Sequence, residues 1–202
     1  MLRWLFPFLF LVSCQDCQQE KWQEVREATW ADVQFGGQGE TALVDGVFSF
    51  GLGVELTGIR FEDSIPELPY ELEFEARKLT GTDFFCGLTF PVRSEKECLT
   101  LILGGWGGGT SGLSSIDGKA ASENETTTYQ NFDFDQWYQL KLRVTESRIV
   151  VILDGGTIVD FEIGDHELGL RYGAIDLCAP FGIATWQTAS EIRDLRWRSL
   201  AD

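Results

Sequence analysis

The stretch "LGGWGGGTSGLSSIDGKAASENETTT", from Leu103 to Thr128, gathers most of the residues in this chain whose types and spacing allow chemistry. Trp106 stands among Gly104, Gly105, Gly107, Gly108 and Gly109, and Asp117, Glu123, Asn124 and Glu125 follow downstream. Three chemistries use glycine this densely: phosphate loops, nucleophile turns, and rims that bring backbone close to a sugar. A phosphate loop needs G-x-x-x-x-G-K-[ST] between a strand and a helix. Here five residues separate Gly112 from Gly118-Lys119, Ala120 stands where the metal-binding hydroxyl belongs, and no helical pattern follows. A dinucleotide fingerprint fails equally, for want of a βαβ unit. A nucleophile elbow needs G-x-S-x-G, and "GTSGL" brings its second glycine one position early.

The sugar-rim reading survives. Glycine at the end of a strand removes side chains where backbone must approach a ligand. Trp106 then offers an indole face to a pyranose, with Gly107 and Asn124 as neighbouring binding groups. The competing reading makes Trp106 core and the glycines a tight bulge. For acid–base work the candidates are Glu123, Glu125, Asp117 and His166, the last being the single histidine of the chain. Glu123 and Glu125 share a face in an extended chain, as paired carboxylates or as solvated charge. His166, in "GDHELG", is a general base or a solvated loop residue. Asp83, in "GTDFF", starts a strand and closes a turn. No metal ligand set is readable; a metal here would be held by carboxylates and carbonyls, as a divalent cation such as calcium is.

The elements that must position these residues repeat with a period of two. "YELEFEARKL" puts Tyr70, Leu72, Phe74 and Ala76 on one face and Glu71, Glu73, Glu75 and Arg77 on the other. "WYQLKLRV" does the same with Tyr138, Leu140, Leu142 and Val144. Both predict half-buried antiparallel strands. "LDGGTIVD" predicts a hairpin turning at Asp154-Gly155-Gly156, and "VDGVF" a turn at Asp45-Gly46. Trp137, Trp186 and Trp197 fall in strand runs and are expected in the core. No segment shows a sustained helical stripe, so the expected fold is all-β, an antiparallel β-sandwich.

At the N-terminus, Arg3 and "WLFPFLFLV" form a charged start and a short apolar run, too short for a mature span and suited to a signal peptide. The run ends in "LVSC", which resembles a bacterial lipobox. That pattern implies cleavage after residue 13 and lipid on Cys14, a membrane anchor on an extracytoplasmic protein; the alternative is an ordinary secretory signal with a coincidental cysteine. Residues 14–27, mostly polar, read as a tether, and 28–202 as one domain. The formal charge of −16 excludes nucleic acid as a partner, since counterion release needs a basic surface. Cys86 and Cys98 lie in consecutive apolar runs, as a cross-strand disulfide in an oxidising compartment or as two buried thiols.

"FDQWYQLKLRVTESRIVVILDGGTIVDFEI" and the closing "GIATWQTASEIRDLRWRSL" resemble the terminal strands of concanavalin A-like jelly rolls of the laminin-G and glucanase type. With "LPYELEFEARKLTGTDFFCGLTFPV" the likeness spans Trp30 to Leu200 and is most similar to the bacterial 3-keto-disaccharide hydrolase-type domain. The resemblance implies a carbohydrate partner. It also implies an elimination in which a base removes the C2 proton of a 3-keto-glycoside, the glycosidic oxygen leaves, and water adds back. A noncatalytic, lipid-anchored module that binds glycan or protein is the other expectation, because one fold hosts both.

Overall fold

The computed structural model describes residues 21–25, 29–62 and 67–201. The expected signal peptide, Cys14 with its lipid, Cys17 and most of the tether lie outside the described residues. Among those described, the strands, numbered in chain order, form two antiparallel sheets. The first runs β13 (Gly156–Glu162), β12 (Arg148–Leu153), β11 (Trp137–Val144), β6 (Tyr70–Gly81), β15 (Thr188–Ser199), β4 (Val47–Phe50) and β3 (Thr41–Val44). The second runs β10 (Thr128–Tyr129), β9 (Thr110–Ser114), β8 (Glu97–Gly105), β7 (Cys86–Ser94), β14 (Gly182–Trp186), β5 (Leu56–Phe61) and β2 (Trp30–Asp32).

Alternation decides what each sheet buries. Tyr70, Leu72, Phe74 and Ala76 of β6 and Leu140, Leu142 and Val144 of β11 are all fully buried. They share one core with Leu88 and Phe90 of β7, Leu99, Leu101 and Leu103 of β8, and Ile183 of β14. Burying each leucine, isoleucine, valine or phenylalanine among them contributes about 1.5–3 kcal/mol. Both expected turns are two-residue turns with positive φ at each position, Asp45-Gly46 and Asp154-Gly155. Their left-handed backbone matches the right-handed twist of the strands they join.

Part of the expected tether belongs to the sandwich. Beyond an irregularity between Arg193 and Arg196, β15 exchanges β4 as its neighbour for β1 (Gln23–Glu24). Val25 inserts into the core there, so a stretch of strand edge is covered rather than left open to association.

The expectation of three core tryptophans is met by one. Trp197 is buried. Trp137 precedes the inward Tyr138 and so faces outward, held between the guanidinium groups of Arg77 and Arg193, 4.6 and 4.0 Å from its ring centroid. Trp186 ends β14, half-buried on the outer face of the second sheet. Of the two expectations for Cys86 and Cys98, the register selects buried thiols. Cys86 stands opposite Leu103 and Cys98 opposite Pro91, at opposite ends of the β7–β8 hairpin, and both are free.

A strap from Leu168 to Pro180 lies on the outer face of the second sheet. It starts where Ser115 and Gly169 exchange backbone hydrogen bonds of 2.6 and 3.1 Å. It then forms the short 3-10 helix Ala174–Cys178, which packs on β5 and β14. Cys178 joins Phe35, Leu56 and Ala184 in a second, small apolar cluster under this strap. Residues of the sheet that point away from the main core are therefore buried as well.

Candidate functional site

The glycine-rich stretch is the tip of the β8–β9 hairpin. The backbone turns through left-handed conformations at Trp106 (φ 50), Gly107 (φ 90) and Gly108 (φ 105). A Cβ at the last two positions would be strained whatever the space around it, which accounts for their residue type. Trp106 is 42 % exposed, so the tip presents its indole instead of burying it. The Asp83 carboxylate fixes the tip from the β6–β7 connection. Its two oxygens accept the N–H of Phe84 at 2.8 Å and of Gly107 at 3.2 Å.

Trp106 stands at a cleft of about 390 Å³ on the outer face of the second sheet. Thr100, Ile102 and Ser114 line its floor, because they alternate with the core residues Leu99, Leu101, Leu103 and Leu113. Its walls bring Trp106 from the hairpin tip, Trp186 from β14, Arg171 and Tyr172 from the strap, and the carboxylates Glu55 and Asp83. The Arg171 guanidinium lies over the Trp106 ring, 5.7 Å from its centroid. Tyr172 is fully exposed. Two indoles, a phenol, one cation and two carboxylates thus converge on a hollow with a hydroxyl-bearing floor. Such a surface can stack on apolar sugar faces and orient hydroxyls.

Asp117, His166 and Glu125 come together elsewhere. The segment Ser115–Asp117 pairs with Glu167–Gly169 through the Ile116–Leu168 bridge, and Asp117 and Glu167 are joined by a 2.8 Å backbone hydrogen bond. This pairing sets His166 Nδ1 2.7 Å from Asp117 Oδ2, while Nε2 faces Glu125 Oε1 at 3.5 Å. The hydrogen bond to Asp117 holds the imidazole pKa above its ordinary value and the same bond holds the Asp117 carboxyl below its own. His166 and Glu125 line a groove of about 440 Å³ beside β13 and β10, and no residue lines both this groove and the Trp106 cleft. Glu123 is exposed and lines neither.

Asn124 is committed to structure. Its Nδ2 donates to the carbonyls of Leu113 (2.7 Å), Ala120 (3.0 Å) and Lys119 (3.3 Å). Its Oδ1 accepts from the Thr126 N–H at 2.9 Å and hydroxyl at 2.7 Å. The side chain clamps the loop after β9 and has little capacity left for a ligand. Among the described residues, no group of three or more His, Cys, Asp or Glu side chains is placed to hold a metal ion.

Sequence reasoning missed Trp186, Arg171, Tyr172, Glu55 and Ser114. An aromatic beside a cation in the glycine-flanked "LRYG" was a usable signal for the strap. Nothing in "SGLSS" distinguishes Ser114 from its neighbours.

No family model matches the chain, and no curated protein matches it in sequence. Solved structures do. The carbohydrate-binding module CBM66 from Bacillus subtilis is 15% identical, with a TM-score of 0.55 over 86% of this chain and 98% of that one. Domain 4 of AbnA, a GH43 extracellular arabinanase from Geobacillus stearothermophilus, solved in complex with arabinotriose, is 16% identical, with a TM-score of 0.53 over 85% and 82%. A β-glucanase from Bacillus licheniformis is 6% identical, with a TM-score of 0.55 over 90% and 98%. At such identities the likeness establishes the fold: an antiparallel sandwich of the concanavalin A-like jelly-roll type.

Proposed function

We propose that this domain is a glycan-binding module whose site is the cleft between Trp106 and Trp186. One observation carries the reading: two indoles reach the same hollow, one from the β8–β9 tip and one from the end of β14, with Arg171, Glu55 and Asp83 around them. A flat ring on each wall suits the apolar faces of a sugar, and the charged groups suit its hydroxyls. A carbohydrate-binding module, an arabinotriose-bound arabinanase domain and a β-glucanase among the structural neighbours support the choice of ligand class, and the last two supply the first probes. Titrating arabinan and β-glucan oligosaccharides into the full-length protein tests it. Binding in the micromolar to millimolar range by at least one, weakened by Trp106→Ala and by Trp186→Ala, is the expected result. Binding that neither substitution alters removes the cleft from consideration.

A second reading is favoured by the His166–Asp117 pair: hydrolysis of a 3-keto-glycoside, with His166 taking the C2 proton in the groove beside β13. An imidazole whose pKa is raised by its carboxylate partner is a base only in the alkaline part of its range. Release of the leaving sugar from a 3-keto-disaccharide, lost in His166→Gln, would establish this activity.

Export and a lipid on Cys14 complete the proposal, placing the glycan site outside the cytoplasm at a bacterial membrane. Palmitate labelling of the full chain, abolished in Cys14→Ala, tests the anchor.

A further inference from the structure

We propose that Ser114 is a specificity-determining residue of the cleft, reading one hydroxyl group of a neutral sugar at the cleft floor. This rests on the glycan reading above and goes further, because it names the chemistry the ligand must present and the residue that selects it.

Thr89 of β7 stands opposite Thr100 of β8, and Thr100 opposite Ser114 of β9. Three hydroxyl side chains therefore form a row across the outer face of the second sheet. Thr89, Thr100 and Ser114 are all at least nine-tenths buried, and the last two line the cleft. Thr89 and Thr100 satisfy one another through a 3.0 Å hydrogen bond between their hydroxyls. Ser114, the third in the row, is 3 % exposed and its Oγ is without a hydrogen-bond partner. Among the described residues, the other buried polar side-chain atoms in that condition belong to Thr128, Thr185, Ser190 and Arg198, and none of these residues lines the cleft. Ser114 does.

A buried hydroxyl without a partner costs free energy, and a ligand group that pairs with it recovers that cost. The partner must be able to donate to or accept from a hydroxyl in a confined space. A sugar hydroxyl does either. An apolar edge, such as a deoxy position, does neither and leaves Ser114 Oγ unsatisfied, so the floor discriminates between the two.

The charges around the cleft select the class of sugar. Two carboxylates, Glu55 and Asp83, face one guanidinium, Arg171, in a chain of formal charge −16. A uronate or a sulfated ring entering there is desolvated beside like charge. A neutral sugar escapes that cost and still uses all three groups as hydroxyl partners.

The test uses the full-length protein and calorimetric titration with methyl glycosides of glucose, galactose, mannose, fructose and arabinose, with glucuronic acid as the anionic control. The monodeoxy analogues of the best neutral ligand follow. Ser114→Ala is expected to lose about tenfold in affinity for the parent sugar and nothing for one monodeoxy analogue, while the wild type loses a similar factor for that analogue. Equal affinity of wild type and Ser114→Ala for every sugar overturns the inference. If Trp106→Ala still weakens binding in that case, the cleft reading stands without it. Tighter binding of glucuronic acid than of glucose overturns the neutral class. Absence of binding by every sugar removes the glycan reading itself, and with it this inference. Ser114→Cys, near in volume and a weak donor, supplies the same comparison should the alanine variant fail to fold.

Discussion

The Arg171 guanidinium lies over the Trp106 indole, 5.7 Å from its centroid, and the two residues reach that position from the strap and from the β8–β9 tip. The contact joins two segments that are far apart in the chain. It also means that a sugar stacking on Trp106 meets a guanidinium at once. Exposed cation–π pairs are worth about 0.5–1 kcal/mol, too little to hold the tip by themselves. Trp106→Ala is therefore expected to weaken sugar binding by about 1–3 kcal/mol, as loss of an aromatic anchor does, while the thermal midpoint hardly moves. A loss of stability of about 3–5 kcal/mol, the cost of truncating a core aromatic, would sink this expectation. Arg171→Lys should behave like Arg171→Ala in binding, since an ammonium lacks the planar donor fork.

How much of this was legible in the sequence depends on whether a feature is local. The inward stripes of β6 and β11 follow from alternation alone, and so do the hairpin turns at Asp45-Gly46 and Asp154-Gly155. The Trp106 tip is legible because left-handed backbone leaves a glycine signature. The walls of the cleft are not, because Trp186, Arg171 and Glu55 are far apart in the chain and meet only through sheet order. Alternation places Ser114 and Thr100 on the outer face of the second sheet but says nothing of their burial there. The meeting of Asp117, His166 and Glu125 depends on pairing between Ser115–Asp117 and Glu167–Gly169, which no local pattern announces.

The His166–Asp117 pair yields a titration prediction. The hydrogen bond that His166 Nδ1 donates to Asp117 raises the His166 pKa above its ordinary value, with Glu125 and Asp165 adding to it through charge. A raised histidine contributes stability that is present below its unfolded pKa and is lost as pH rises through the folded one. The lowered Asp117 contributes stability present above its unfolded pKa and lost as pH falls through its folded one. The pair is thus at its strongest between those two limits. Both groups are exposed, so the readout is proton resonance and not melting. In an NMR titration the imidazole of Asp117→Asn should titrate clearly lower than in the wild type, and that of Glu125→Gln only slightly lower. An unchanged midpoint in Asp117→Asn would show that the pair does not form in solution.

Three thiols should be silent in the folded protein. Cys86, Cys98 and Cys178 are buried and free, and burial pushes Cys98 up to about 11 and Cys178 up to about 12, with Cys86 higher still. The thiolate is the reactive form, so at neutral pH these sites combine low access with negligible ionisation. Iodoacetamide followed by peptide mapping should modify none of the three in native protein and all three in denaturant. Recovery of a Cys86–Cys98 crosslinked peptide would contradict the β7–β8 register.

Glu71 carries the last prediction. Alternation puts it on the solvent side of β6, yet it is fully buried beneath the side chains that flank it. Arg143 holds one carboxylate oxygen at 2.7 and 3.1 Å, Arg198 holds the other at 2.9 Å, and Lys141 stands 3.6 Å away. Burial raises the Glu71 pKa, but the Arg143 and Arg198 hydrogen bonds and the Lys141 and Arg143 charges outweigh it, so the net shift is downward. Stability from this cluster is accordingly present above the unfolded glutamate pKa and is lost as pH falls through the lower, folded one. Glu71→Ala takes the carboxylate from two guanidinium groups, Arg143 and Arg198, while Lys141 keeps Glu73 at 2.6 Å. The cost should be about 2–3 kcal/mol, above an exposed pair and below a fully buried one because the arginines keep part of their hydration. Glu73, held by Arg196 and Lys141 but reached by solvent, should cost less on the same substitution. Denaturant melts at neutral pH and at pH 3 separate the contributions. The Glu71→Ala deficit should shrink at the lower pH as the wild-type carboxylate takes up a proton. A deficit equal at both would assign the loss to packing and not to charge.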